Sequence, residues 1–238
     1  MKKIFIGGDS WARGEHPKFE HMGLEEYFAE AGHTVINASV LGASNHDSID
    51  ILADHMRDQY QTGDLVLWVQ TDPLRDFRGP PPEFHRLIPG IQSAGGIYNL
   101  MQELLQNSYS KLDALGNKYA TIIHAIGGLC SIGDTRLFRF ISPTVVSWPQ
   151  LLVGDISKYS NTDWSWFVIW CSDWTAQHLG IDPIVHDSQL AEKVIVEANE
   201  LNKNRKIFLE KIFHPDGQHP NRDGHKILYN HLKERLKI

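Results

Sequence analysis

The chain has 238 residues, 42% of them apolar and 22% charged, enough to bury a substantial core and too apolar for a disordered or collagen-like chain. Lys and Arg number 23 against 29 Asp and Glu, a formal charge of −6, and no dense basic block offsets it, which argues against a nucleic-acid binder. The two cysteines, Cys130 and Cys171, cannot form a disulfide framework or a Cys-x-x-Cys zinc pattern, and read as reduced core thiols.

In chain order, residues 3–7 form a short apolar run that ends at Gly7-Gly8-Asp9. It is too short for the apolar core of a signal peptide and reads as a buried first strand closed by a tight turn, in a protein expected to begin at Met1 and to be cytoplasmic. No run of about 20 apolar residues exists, so no membrane span is expected. Residues 24–31 have a helical pattern with Gly32 as its stop, and residues 34–38 give a second strand. A polar loop near Gly42 leads into a helix over about 48–60. Residues 64–69 (DLVLWV) are apolar on both faces, as parallel strands tend to be.

A Pro-rich insertion falls near 73–96, and a helix is expected over about 97–115. A fourth strand is expected over 119–126 (YATIIHAI), and a short fifth over 144–147. A second insertion near 148–185 is Trp-rich. Ser188 or Asp187 is a candidate cap for a helix reaching about residue 212. In the last helix Leu228, Leu232 and Leu236 recur every fourth position, so one face is apolar. There is no internal repeat or flexible linker, and the whole of 1–238 reads as one domain.

Strands alternating with helices predict a parallel sheet of about five strands with helices on both faces. In such sheets ligands sit beyond the carboxyl ends of the strands. Gly8-Asp9-Ser10, Gly42 and Gln70-Thr71-Asp72 fall at those ends.

Ser10 directly follows the first strand, where a turn can hold its hydroxyl at the sheet edge. The bland reading is a serine that only caps a helix. Near the other end of the chain, Asp216 stands three residues before His219. On a tight turn the carboxylate can accept the Nδ1 proton of His219 and leave Nε2 to take a proton from serine, whose hydroxyl is a weak nucleophile near neutral pH.

The two segments "GGDSWARG" and "DGQHPNRDGH" resemble the SGNH, or GDSL-like, hydrolase superfamily. The resemblance spans Ile4 to His225, because the motifs bracket the chain. "GGDSWARGE" and "QTDPLRD" also look similar to phage-encoded relatives, which would place the protein in a virion or host cytoplasm. The resemblance implies a flavodoxin-like three-layer α/β/α sandwich that hydrolyses esters through an acyl-enzyme. It implies Ser10 as nucleophile, His219 as base, Asp216 as its orienter, and Gly42 in "NASVLGASN" as a backbone oxyanion donor beside Ser10. No cofactor or metal is implied. The expected partner is a small-molecule or carbohydrate ester, and Asp9, Gln70 and Asp72 are the candidate substrate-binding residues.

One block departs from the family pattern. After the third strand the family has Gly-x-Asn-Asp, whose Asn side chain donates to the oxyanion; this chain reads Val69-Gln70-Thr71-Asp72. Thr71 stands at the Asn position and its hydroxyl is the expected third donor. Gln70 has an amide, but strand alternation turns it the other way. The alternative to an esterase is a non-catalytic domain of the same fold, binding or assembling with a degenerate oxyanion hole.

Other features have plainer readings. The pair His214 and His219 around Asp216 suggests a metal loop, but a triad explains the same residues more simply, and no His-Glu-x-x-His occurs. Trp164, Trp166, Trp170 and Trp174 either line a cleft or pack a core. Asp72 and Arg75 are a candidate ion pair. A nucleotide binder is disfavoured because Gly7-Gly8 is not followed by Gly-x-Gly-x-x-Gly, and the missing Gly-x-Ser-x-Gly argues against an α/β-hydrolase elbow.

Overall fold

The structure is a computed structural model that describes residues 2–14, 22–71, 73–76, 94–119, 122–127, 146–148 and 219–238. Among them the strands are β1 (Lys3–Gly7), β2 (Thr34–Asn37), β3 (Leu65–Gln70), β4 (Ile122–Ile126) and β5 (Val146–Ser147). They form one sheet in the order β2-β1-β3-β4-β5, every pairing parallel. The helices are α1 (Ser10–Arg13), α2 (Leu24–Glu30), α3 (Asn45–Arg57), α4 (Ala94–Lys118) and α5 (Arg222–Leu236), with a 3-10 turn at Pro73–Asp76. This is the flavodoxin-like α/β arrangement expected from the sequence.

The inner strands β1 and β3 are apolar on both sides because both sides are covered. From β1 and β3, Ile4, Ile6, Leu67 and Val69 face a layer holding Trp11, Leu24, Phe28, Leu228 and Leu232 of α1, α2 and α5. Phe5, Val66 and Trp68 face the opposite layer, with Ile49, Leu52 and Met56 of α3 and Leu112 and Leu115 of α4. The four-residue spacing in the last helix works as expected: Leu228 and Leu232 are fully buried and Leu236 packs against the same core.

Local chemistry sets the element ends. Gly32 follows α2 with φ +86, and His33 and Gly32 donate their amides to the Phe28 and Ala29 carbonyls, a Schellman stop. Helix α3 begins at Asn45, three residues earlier than expected. The Ser44 side chain accepts from the Asp47 amide, so the polar triplet after it becomes the first helical turn. Helix α4 is longer than expected at both ends, and β4 starts at Ile122 instead of Tyr119, whose amide still bonds back to Leu115. The two insertions fall mostly outside the described residues, as do the Trp-rich segment and the helix expected after Ser188.

Gln70, at the end of β3, points into the layer of α3 and α4. Its Oε1 accepts from the Tyr109 hydroxyl at 2.7 Å and lies 2.9 Å from His124 Nε2. A carbonyl oxygen can only accept, so Nε2 carries the proton. The His124 ring also packs on Trp68, with centroids 4.7 Å apart. Burial pushes its pKa from 6.5 down to about 3, and burial likewise raises that of Tyr109.

The neutral imidazole is therefore the folded form, whereas an unfolded chain takes up a proton near the ordinary value. This contribution to stability is present above pH 6.5 and is lost as the pH falls toward 3. Its slope is at most about 1.4 kcal/mol per pH unit. We expect His124→Gln, which cannot titrate, to lose less stability than the wild type between neutral pH and about pH 4. Urea unfolding at a series of pH values measures the difference; identical acid slopes would overturn the assignment.

Candidate active site

Strand order reverses at β1: the chain leaves β1 for β2 on one side and then crosses to β3 on the other. The carboxyl ends of β1 and β3 therefore bound the crevice where ligands bind in open α/β sheets. Gly8-Asp9-Ser10 leaves one end, and Thr71 leaves the other. Gly8 has φ +151, and a Cβ on it would stand 2.8 Å from the Val69 carbonyl oxygen, so only glycine lets the chain turn this close to β3. The Val40 amide donates to the Gly8 carbonyl at 3.1 Å, which brings the Leu41-Gly42 turn alongside; Gly42 has φ +72.

Ser10 is the first residue of α1. Asp9 caps that helix, its Oδ1 accepting from the Trp11 amide at 2.9 Å. His219 arrives from the far end of the chain, two residues before Asn221. The Asn221 side chain caps α5 by accepting from the Gly224 amide at 3.0 Å. Helix α5 is bolted to the Ser10 region. His225 Nε2 lies 2.9 Å from the Trp11 carbonyl oxygen, and the Tyr27 hydroxyl donates to the Arg222 carbonyl at 2.9 Å. Trp148 packs edge-on against both Trp11 and His225 and donates to the Gly224 carbonyl. The outcome is a contact of 2.9 Å between His219 Nε2 and Ser10 Oγ, across 209 positions of sequence. Both residues are partly exposed.

The remaining expected site residues fare differently. Asp216, Asp72 and His214 lie outside the described residues. Asp9 was expected to touch substrate, but it is 1% exposed and internally satisfied. Its Oδ2 accepts from the Thr71 hydroxyl at 2.5 Å and from Arg75 Nη1 at 3.1 Å. Gln70, also expected at the substrate, is turned to the opposite face and held by Tyr109 and His124. Thr71 was expected to donate its hydroxyl proton to an oxyanion. It is 2% exposed and spends that proton on Asp9, so the expectation is corrected: a hydroxyl has one proton to give.

One residue, Asn45, escaped the sequence reading, and another, Arg75, has a partner the sequence did not suggest. Asn45 is fully buried; its Oδ1 accepts from the Thr71 amide at 2.8 Å and its Nδ2 donates to the Thr71 carbonyl at 3.3 Å. It extends the hydrogen bonding of β3 by one residue and ties it to α3. Arg75, which the sequence suggested as a partner for Asp72, pairs with Asp9; Asp72 lies outside the described residues. Neither pairing has a local signature, since the partners lie 26 and 66 positions apart.

Because the Thr71 hydroxyl holds a buried carboxylate, Thr71→Val is expected to lower stability by about 1–3 kcal/mol. Urea unfolding measures it, and an unchanged midpoint would show that the hydroxyl is not holding Asp9.

No known family's sequence profile matches the chain, and neither does any curated protein. Among solved structures it is similar to the Bacillus subtilis protein YxiM, with 15% identity and a TM-score of 0.45 over 98% of this chain and 56% of that one. It thus spans little more than half the length of YxiM. It is similar to a catalytic mutant of Axe2, an acetylxylan esterase from Geobacillus stearothermophilus, with 15% identity and a TM-score of 0.44 over 100% and 94% of the two chains. It is likewise similar to the psychrotrophic esterase EstA from Pseudoalteromonas sp., with 14% identity and a TM-score of 0.43 over the whole of both. Among the described residues no helix is long and apolar enough to cross a membrane.

Proposed function

We propose that the protein is a serine hydrolase that cleaves an ester of a small molecule or carbohydrate through an acyl-enzyme. The observation that carries this reading is the 2.9 Å contact between His219 Nε2 and Ser10 Oγ. It has the length of a nucleophile-to-base hydrogen bond, and it lies at the strand-order reversal where ligands are expected.

In this reading Nε2 takes the Ser10 proton as Oγ attacks the ester carbonyl carbon. The carbonyl π pair moves onto oxygen, and the tetrahedral intermediate expels the alcohol, which leaves with the proton returned by His219. Water then repeats the sequence on the acyl-enzyme, releasing the acid and restoring Ser10. Asp216 holds the Nδ1 proton and so fixes the tautomer that leaves Nε2 able to accept. The Ser10 and Gly42 amides receive the oxyanion. Neither amide has a hydrogen-bond acceptor among the described residues, as such donors require.

One observation favours a second reading, a non-catalytic domain: the Thr71 hydroxyl is spent on Asp9. The two readings separate in one set of measurements. The wild type is expected to hydrolyse p-nitrophenyl acetate and to be labelled on Ser10 by a fluorophosphonate. Ser10→Ala and His219→Ala are each expected to lower turnover at least ~10³-fold, because nucleophile and base act as a unit. Turnover by Ser10→Ala at the wild-type rate would overturn the mechanism. A folded wild type that is neither labelled nor active would establish the binding domain.

A further inference from the structure

We propose that Arg75 supplies the side-chain donor of the oxyanion hole, in the place that Thr71 was expected to fill; the inference rests on the serine-hydrolase reading above. The side-chain amides described near the strand ends are all committed. Asn45 holds the Thr71 backbone at both ends of its amide, and Gln70 is turned to the other face of the sheet. Asn37 Oδ1 accepts from the Ser39 amide, and its Nδ2 donates to the Arg13 carbonyl.

Arg75 differs from these. A guanidinium has five N–H donors, and among the described residues Arg75 spends one, on Asp9 Oδ2. That same oxygen receives the Thr71 hydroxyl, so the guanidinium lies directly beside the expected donor position. Asp9 is 1% exposed and the Arg75 side chain 29%, so the positive end of the pair is the end open to a ligand.

The turn that carries Arg75 is itself held. Asp76 Oδ1 accepts from the His46 amide at 2.8 Å, and its Oδ2 accepts from the Ser108 hydroxyl at 3.2 Å, tying the turn to α3 and α4. Asp9 neutralises the guanidinium in the resting enzyme, so the pair acts as a fixed dipole and needs no anionic substrate for its balance. A donor fixed before the reaction, and charged, is the kind that stabilises a developing oxyanion best. No proton is transferred: Arg75 donates a hydrogen bond to the oxyanion while His219 holds the Ser10 proton.

The test compares Arg75→Met, Arg75→Lys and Arg75→Ala with the wild type, using the neutral ester p-nitrophenyl acetate and the anionic mono-p-nitrophenyl succinate. Arg75→Met is expected to lower kcat ~10²–10³-fold on both esters with little change in KM. Arg75→Lys, which keeps a cation for Asp9 but not the fork, is expected to lose at least ~10-fold and serves if Arg75→Met does not fold. Guanidinium at millimolar concentration is expected to restore part of the activity of Arg75→Ala. Wild-type kcat in a folded variant would overturn the proposal. So would a loss confined to KM for the anionic ester, which would mark an anion subsite. A folded Arg75→Ala that is slow and not rescued would show that Arg75 only holds Asp9. If the wild type shows neither turnover nor fluorophosphonate labelling, the serine-hydrolase reading fails and this inference with it. If the wild type is active and Arg75→Met equals it, only this inference fails.

Discussion

The site depends on one buried carboxylate. Asp9 is almost wholly removed from water, and leaving such a group without partners costs several kcal/mol. Among the described residues it receives three donors: the Trp11 amide of its own helix, the Thr71 hydroxyl and the Arg75 guanidinium. The first fixes the opening turn of α1, and with it Ser10. The other two come from the chain leaving β3. Asp9 therefore holds together the two strand ends that bound the crevice, and the serine sits on the fastening.

The second half of the site comes from the opposite end of the chain, held by packing instead of charge. Helix α5 lays Leu228 and Leu232 into the layer over β1 and β3. Its His225 places both ring nitrogens 2.9 Å from carbonyl oxygens, those of Asn221 at the start of α5 and Trp11 of α1. Trp11, Trp148 and His225 stack edge-on behind Ser10. His219 thus lies two residues before a helix cap and six before a buried histidine that packs on Trp148. Support of this kind keeps catalytic groups close to reacting geometry.

The polar groups at this edge of the sheet are satisfied in closed sets. Asn45 serves the Thr71 backbone, while Gln70 joins Tyr109 and His124 on the far face. Once these sets are closed, the donors left for a ligand among the described residues include the amides of Ser10 and Gly42 and the outer N–H groups of Arg75. The crevice is defined as much by what the surrounding residues have already bonded as by what stands in it.

The sequence by itself determined the frame. Apolar runs at 3–7 and 64–69 had to be buried strands, and the four-residue leucine spacing had to be a helix with one buried side. Such periodicities are local, and burial of apolar surface acts on them wherever the chain goes. The motifs around Ser10 and His219 were legible for the same reason: each is a turn and a cap written in adjacent residues. Partners were decided only by the tertiary structure. That the Thr71 hydroxyl faced Asp9, and that Arg75 reached the same carboxylate, depended on groups 62 and 66 positions away brought within hydrogen-bond reach by the sheet. A hydroxyl or guanidinium shows in the sequence that it can donate, but its acceptor is whichever oxygen the fold leaves closest.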